Sequence, residues 1–535
     1  MSSADFLLYK PLQLSGAVAF SRPSPKSVYD RAGTLVQVPA NTLGVTYDPA
    51  DLSKAPWALI EPAAKNLVLQ SDTFIANWSL PGVTVVQGAA VSPRGIMDAV
   101  KLVAQVTNGL HYAEQYPTID ASQTYTRAWF VKRAEMRFVE FAVYSRPTTS
   151  RWVRVIFDTL TGEFSSSLMA GSASHTFRAQ KLNNGWWRIF QTFTLGGTDT
   201  ECFFRLALLD QTTMAALFRG DGVSGVYMYG AQLTLGDREE SHISTTTDPV
   251  TRAADVVGAG AGLVYSSVAI TEPLWVAGTY GQGAKVRDGE NFVFESLTGG
   301  NSAPLTDKTK WLPLGKTNQL KMFDKAVNSQ TTAADWLTVV VKPGQLANTL
   351  TLLNISGAEV TVTQSESNYT RKRALSSHNV LSWYDFYFQE PQWIGDTVFA
   401  DIPPYLNSLL TVHIKSPGNI AGLGGFFLGR PKFIGKTQWG LKAGILSYST
   451  QEADTFGNVT LLKRASAKKM NFEVAVPRGY EDEVYRFMTA ADNEEMVAIA
   501  STNWAMTLSY GYLGQWELPL GIEGEKMPVE WRGLI

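Results

Sequence analysis

The sequence predicts a mainly β protein: tandem β-sandwich or jelly-roll domains, a small aromatic β module and a C-terminal α+β domain. Three observations carry that expectation. First, hydrophobic residues alternate with a period of two. Val153, Val155 and Phe157 alternate with Arg154 and Asp158, and Val360 and Val362 alternate with Thr361 and Thr363. Such runs fit half-buried strands, whose successive side chains point to opposite faces. Second, turn clusters interrupt these runs at short intervals, as at Thr161-Gly162, Asn184-Gly185 and Gly220-Asp221-Gly222. Third, helical periodicity is scarce. Many short strands joined by turns stack into sandwiches and jelly rolls.

The chain has 535 residues, more than one domain usually holds. Residues 1–70 read as an extended segment packing on the first sandwich, which occupies 71–257. The run from Gly258 to Gly262, alternating Gly and Ala, reads as a flexible joint. A small module rich in aromatics follows at 263–316, and a second sandwich at 317–428. Gly422, Gly424, Gly425 and Gly429 read as a second joint before the last domain, 431–535. That domain holds the clearest helix. Tyr480, Val484, Phe487, Met488 and Ala491 form one apolar stripe at i, i+4, i+7, i+8 and i+11. Glu481, Asp482 and Glu483 fill its first turn, where the helix dipole favours negative charge.

Composition excludes several classes. Lys plus Arg is 46 against 48 for Asp plus Glu, so the net charge of −2 offers no nucleic-acid footprint. The short basic run Lys463, Arg464, Lys468 and Lys469 reads as a solvated strand face. No apolar run approaches the 20 or so residues a membrane-spanning helix needs, and no signal peptide is expected at the start. Cys202 is the one cysteine, which excludes an intrachain disulfide and a cysteine zinc site. Its neighbours Phe203 and Phe204 suggest a buried thiol. The sequons at Asn77, Asn354, Asn368 and Asn458 carry no meaning without secretion.

Catalytic and cofactor motifs fail on spacing. Gly435-Lys436-Thr437 invites a phosphate-loop reading, but the loop's first glycine would fall at position 430, which is Arg. Gly258, Gly260 and Gly262 mimic a dinucleotide-binding start, yet position 263 is Leu and no helix pattern follows. The histidines at 111, 175, 242, 378 and 413 show no ligand spacing, so no metal is expected. Glu61, Glu114, Asp158, Asp221 and Glu295 are scattered, with no glycosidase acid motif among them. No nucleophile-elbow motif accompanies a strand-to-helix pattern. The expectation is a non-enzymatic protein without cofactor.

Aromatics remain as candidate contacts. Trp275, Tyr280 and Trp311 form the obvious platform in the small module. Trp129, Trp152, Trp186 and Trp187 are candidates in the first sandwich. A ring face can stack on an apolar ligand face, although core packing is the commoner use of a tryptophan.

A resemblance adds to this reading. Phe20-Ser-Arg-Pro23, Gly33-Thr34-Leu35, Leu59-Ile60-Glu61-Pro62 and Asn66-Leu67 occur in that order. Gln70-Ser71-Asp72, Asn183 to Trp186, Gly230 to Leu233 and Thr245 to Asp255 follow. The set resembles an N-terminal module of phage tail structural proteins described as concanavalin-like or carbohydrate-binding. Trp275, Tyr280, Phe294-Glu295-Ser296 and Lys310-Trp311 are similar to a small chitin-binding-type module. Gly435 to Gly440, Gly444-Ile445, Phe456-Gly457-Asn458 and Trp531 to Ile535 resemble a terminal domain of baseplate or tail-tip proteins. The resemblance implies a virion component assembled in the bacterial cytoplasm. Its expected partners are other tail and baseplate proteins, further copies of itself as a trimer or ring, and a host surface glycan. Gly435, Trp439, Phe456 and Trp531 mark the expected assembly segment, and Trp275, Tyr280, Trp311, Trp129, Trp152 and Trp186 the expected glycan contacts. A dedicated receptor-binding tail fibre is the alternative, and a polysaccharide depolymerase the least favoured.

Overall fold

The computed structural model describes residues 4–377, 382–388, 392–453, 459–519 and 526–534. It is mainly β, with many antiparallel sheets and little helix. The chain divides into two compact units. One is Phe20–Val257, and the other joins Met1–Ala19 to Gly258–Ile535. Among the described residues, no helix is long and apolar enough to cross a membrane.

The unit Phe20–Val257 is a β-sandwich. One sheet has five strands, in the order Tyr112–Gln115, Glu201–Leu208, Phe138–Arg146, Trp152–Asp158 and Phe164–Ala170. The other has six: Ser174–Lys181, Trp187–Thr194, Thr124–Arg133, Gly225–Leu235, Ala99–Ala104 and Val83–Ala90. Alternation decides what each strand sends inward. Val139, Phe141 and Val143 meet Val153, Val155 and Phe157, and all six are fully buried. Across the core, Trp129 stacks on Phe204 with ring centroids 4.6 Å apart and planes 13° apart. Cys202 lies in this core, where burial pushes its thiol up to about 12, so it is an inert apolar residue.

Residues 20–70 cover the outside of the six-stranded sheet. Tyr29 and Leu35 form a second small core with Phe130, Leu182, Trp186 and Tyr229. Buried charges fasten this layer. Asp255 accepts from Arg22 at 2.9 Å and from Lys26 at 2.5 Å, and Arg252 binds Glu240 at 2.7 Å. Residues 4–19 do not share this environment; they belong to the other unit. The stretch 4–70 therefore splits at Ala19 between the two units.

The other unit contains two seven-stranded sheets and the small module. The module is a three-stranded sheet, Lys285–Arg287, Phe292–Ser296 and Trp311–Lys316. The first large sheet runs Gly262–Ser266, Thr331–Lys342, Leu410–Gly429, Thr349–Ser356 and Thr397–Phe399, with Glu359–Gln364 and Thr370–Ala374 beside it. The joint expected at Gly422, Gly424, Gly425 and Gly429 is not one. All four lie inside the 20-residue strand Leu410–Gly429. A Cβ on Gly424 would meet the Val327 carbonyl oxygen at 2.1 Å, so close packing rather than flexibility requires the glycine.

The last sheet closes on itself. Its order is Lys432–Thr437, Ala4–Tyr9, Met496–Ile499, Leu508–Trp516, Met527–Gly533 and Ser466–Ala475, and the last pairs again with the first. Lys442–Ser447 extends it. Phe6, Leu8, Ile434, Met470, Val474 and Trp531 fill the ring. The helix Glu481–Ala490 sits where the apolar stripe predicts it, and Val484 and Met488 enter the same core.

Candidate functional site

The outer face of the five-stranded sheet brings aromatic and charged side chains together. Strand register assembles it in three rows. Phe203 stands opposite Tyr144, and Tyr144 opposite Trp152. The next row runs Glu114, Arg205, Ala142, Arg154 and Leu168. The third runs Tyr112, Ala207, Glu140 and Ile156. Each residue follows from alternation: Val139, Phe141 and Val143 point inward, so Glu140, Ala142 and Tyr144 point outward.

The rows are tied together. Arg205 binds Glu114, with Nε donating at 2.8 Å, and lies over the Tyr112 ring at 3.9 Å from its centroid. Arg154 Nε donates to Glu140 at 2.9 Å, and its guanidinium lies 5.6 Å from the Trp152 ring centroid. Tyr144 and Trp152 are 6.3 Å apart. Burial, then the Glu114 charge, raises the Tyr112 phenol. Burial and Glu140 raise that of Tyr144. Both phenols are therefore neutral donors at pH 7. At one end, Arg146 pairs with Glu201 and stacks over Tyr116, which is 40% exposed. The face thus combines half-buried aromatic rings with fixed guanidinium and carboxylate groups. The rings offer apolar stacking and the partly exposed guanidiniums of Arg154 and Arg205 offer directional hydrogen bonds, while the Glu114 and Glu140 carboxylates are buried beneath them.

Only one predicted aromatic, Trp152, contributes to this face. Trp129 and Trp186 are fully buried and belong to cores, which corrects the expectation that they contact ligand. Their environment is set by a second layer landing on each side of the six-stranded sheet. Trp187 is half-buried against Phe157 and donates to the Thr159 carbonyl at 3.1 Å. In the small module, Trp311 is likewise fully buried and donates to the Ala303 carbonyl at 2.9 Å, so it is a core residue. Tyr280 meets it edge-on at 5.4 Å and stays half-buried, as does Trp275. The expected trio is therefore two half-exposed rings backed by a core tryptophan.

Of the expected assembly segment, Gly435 and Trp531 are interior. A Cβ on Gly435 would meet the Ala475 carbonyl oxygen at 2.5 Å, and Trp531 is fully buried. Gly435 lies within a strand, which ends the phosphate-loop question. Trp439 is 82% exposed and lines a cavity of about 540 Å³ with Lys442, Lys469, Glu473, Trp516 and Glu530. Phe456 and His378 lie outside the described residues. Among the described residues, no group of three or more His, Cys, Asp or Glu is arranged to hold a metal ion.

Sequence reasoning missed Tyr112, Tyr144, Arg154 and Arg205. The signal was present. Once Val153, Val155 and Phe157 are taken as inward, Trp152, Arg154 and Ile156 must share the other face.

Fold and face define a class: an antiparallel β-sandwich that displays an aromatic, charged sheet surface. No protein-family model matches the chain, and no curated protein sequence matches it. Among solved structures, it overlaps weakly with the N-terminal CBM22-1–CBM22-2 tandem of Paenibacillus barcinonensis Xyn10C. That overlap has 8% identity over 69% of this chain and 99% of the other, with a TM-score of 0.19. A GH78 family rhamnosidase of Bacillus sp. GL1 overlaps at 8% identity over 80% of this chain and 43% of the other, with a TM-score of 0.15. At these scores neither overlap bears on what the chain binds.

Proposed function

We propose that Phe20–Val257 is a saccharide-binding sandwich, and that the chain is a non-enzymatic structural component of a phage tail tip or baseplate that presents it to the host. The face holding Trp152, Tyr144, Tyr112 and Arg205 carries the binding half of this reading. Its aromatic rings lie beside ion pairs that fix the hydrogen-bonding groups in advance, which lowers the ordering cost of binding. The tail-tip half rests on the sequence resemblance set out above. Glu114 and Glu140 each engage an arginine, so both are committed to holding the face together. That arrangement favours binding over glycoside hydrolysis, which needs one carboxyl free to deliver a proton.

Two measurements test the proposal. An oligosaccharide array probed with the full chain should give ligands whose binding is lost in Trp152→Ala. Immunogold labelling of phage particles with antibody to the chain should decorate the tail tip. Array binding unchanged in Trp152→Ala would move the site elsewhere, and unlabelled particles would remove the virion assignment.

A further inference from the structure

The opposite side of the sandwich holds a second, built cavity. It lies where residues 20–70 cover the six-stranded sheet and measures about 120 Å³, the room of several water molecules. Tyr29, Arg188 and His242 line its inner part, and Trp57, Tyr47 and the ion pair Arg178–Glu239 its outer part. Tyr29, Arg188 and His242 are each more than nine-tenths buried. Each keeps one buried polar atom without a well-formed hydrogen bond, Tyr29 Oη, Arg188 Nε and His242 Nδ1, with the Tyr29 hydroxyl facing the Arg188 side chain. Leaving a buried polar group unsatisfied costs about 1–3 kcal/mol, so three around one cavity need a reason.

Charge narrows the reason. Arg188 Nη2 donates to the Glu240 carbonyl at 2.8 Å, and its guanidinium lies over Phe190 and Phe130, 4.7 and 5.1 Å from their centroids. Among the described residues, no carboxylate pairs with it. The neighbouring carboxylates are already taken. Glu61, which also lines the cavity, has its charge met by Lys26 at 2.9 Å and Arg252 at 3.1 Å, Glu239 pairs with Arg178, and Glu240 binds Arg252. His242 spends its other nitrogen on Asp72 at 3.0 Å, leaving Nδ1 for something else. The cavity therefore combines an uncompensated buried guanidinium, two further polar atoms and a tryptophan 37% exposed at its edge.

We propose that this cavity binds a carboxylate-bearing sugar residue of the uronic acid type. The carboxylate would compensate Arg188, the ring hydroxyls would meet Tyr29 and His242, and the ring's apolar face would meet Trp57. A buried, charge-assisted pair of this kind is strong and selective against neutral sugars. The volume admits the carboxylate and the adjoining edge of one sugar ring, the rest of the ring lying against Trp57 at the open mouth, so it takes one terminal or side-chain residue and not a run of them. The assignment rests on the reading of this unit as saccharide-binding, and adds to it a separate site with its own charge preference.

Saturation-transfer NMR on the full chain tests it, with D-glucuronate, D-glucose and sodium acetate as probes. Glucuronate should give a signal that Trp57→Ala reduces at least tenfold and Arg188→Gln abolishes, while Trp152→Ala leaves it intact. Trp57 lies at the edge, so its variant remains decisive if Arg188→Gln fails to fold. Acetate should displace glucuronate only at concentrations at least tenfold higher. A missing glucuronate signal, a signal indifferent to Trp57→Ala, or equal displacement by acetate overturns the assignment. If neutral oligosaccharides still bind through Trp152 while glucuronate does not, this inference fails alone. If neither binds, the saccharide reading of the unit fails with it.

Discussion

Arg205 lies flat over Tyr112, 3.9 Å from the ring centroid, while its Nε donates to Glu114 at 2.8 Å. One guanidinium thereby fixes an aromatic ring and a carboxylate in a single orientation on the half-buried outer face of the sheet. Lysine cannot do both, because it lacks the planar fork. Arg205→Lys should weaken oligosaccharide binding at the face about tenfold, or about 1.4 kcal/mol. Calorimetric titration beside a thermal melt checks this. Loss of affinity with an unchanged melting temperature supports a positioning role, and equal affinity would mean the face is decoration.

Trp129 and Trp152 should separate cleanly. Trp129 is packed between Phe74, Phe141 and Phe204, so Trp129→Ala opens a cavity and should cost about 3–5 kcal/mol. Trp152 is half-buried on the surface face, and Trp152→Ala should cost less than about 1 kcal/mol. Urea denaturation of both variants measures the contrast. A large loss for Trp152→Ala would show that it is a core residue after all.

Asp158 introduces a pH dependence. Burial alone would raise its carboxyl, but the Arg137 guanidinium and the amides of Leu160 and Thr161 hold it down at about 2. A depressed acid stabilises the fold fully above its unfolded value near 3.8 and loses that contribution as pH falls toward 2. Arg137 is 38% exposed, and screening by solvent trims the effect to about 1–2 kcal/mol. The difference between the native chain and Asp158→Asn should therefore be present at pH 6 and gone near pH 2. Paired denaturation curves at the two pH values decide it, and a constant difference would rule out the linkage.

Gly424 tests whether the glycines of the long strand are hinges or close contacts. A Cβ there would meet the Val327 oxygen at 2.1 Å and Asn354 at 2.9 Å. Gly424→Ala should destabilise its unit by about 1–3 kcal/mol through overpacking. A hinge would tolerate the change, so an unaltered melt would restore the joint.

Some of this architecture is legible in the sequence, because local periodicity is a local property. Val153, Val155 and Phe157 announce a strand and its buried face, and Tyr480 to Ala491 announce a helix, without reference to anything distant. Cys202, followed by Phe203 and Phe204, announces its own burial. What a strand's second face meets is not local. Trp129 and Trp152 look alike in sequence, yet one receives a second sheet and the other receives solvent. Ala4–Tyr9 finds its neighbours at Lys432–Thr437 and Met496–Ile499, more than 420 residues away. Ring closure, the glycines buried in one strand, and the meeting of Tyr29, Arg188 and His242 around a cavity depend on such pairings. Hydrophobic pattern specifies that a face must be covered, but only tertiary packing decides by what.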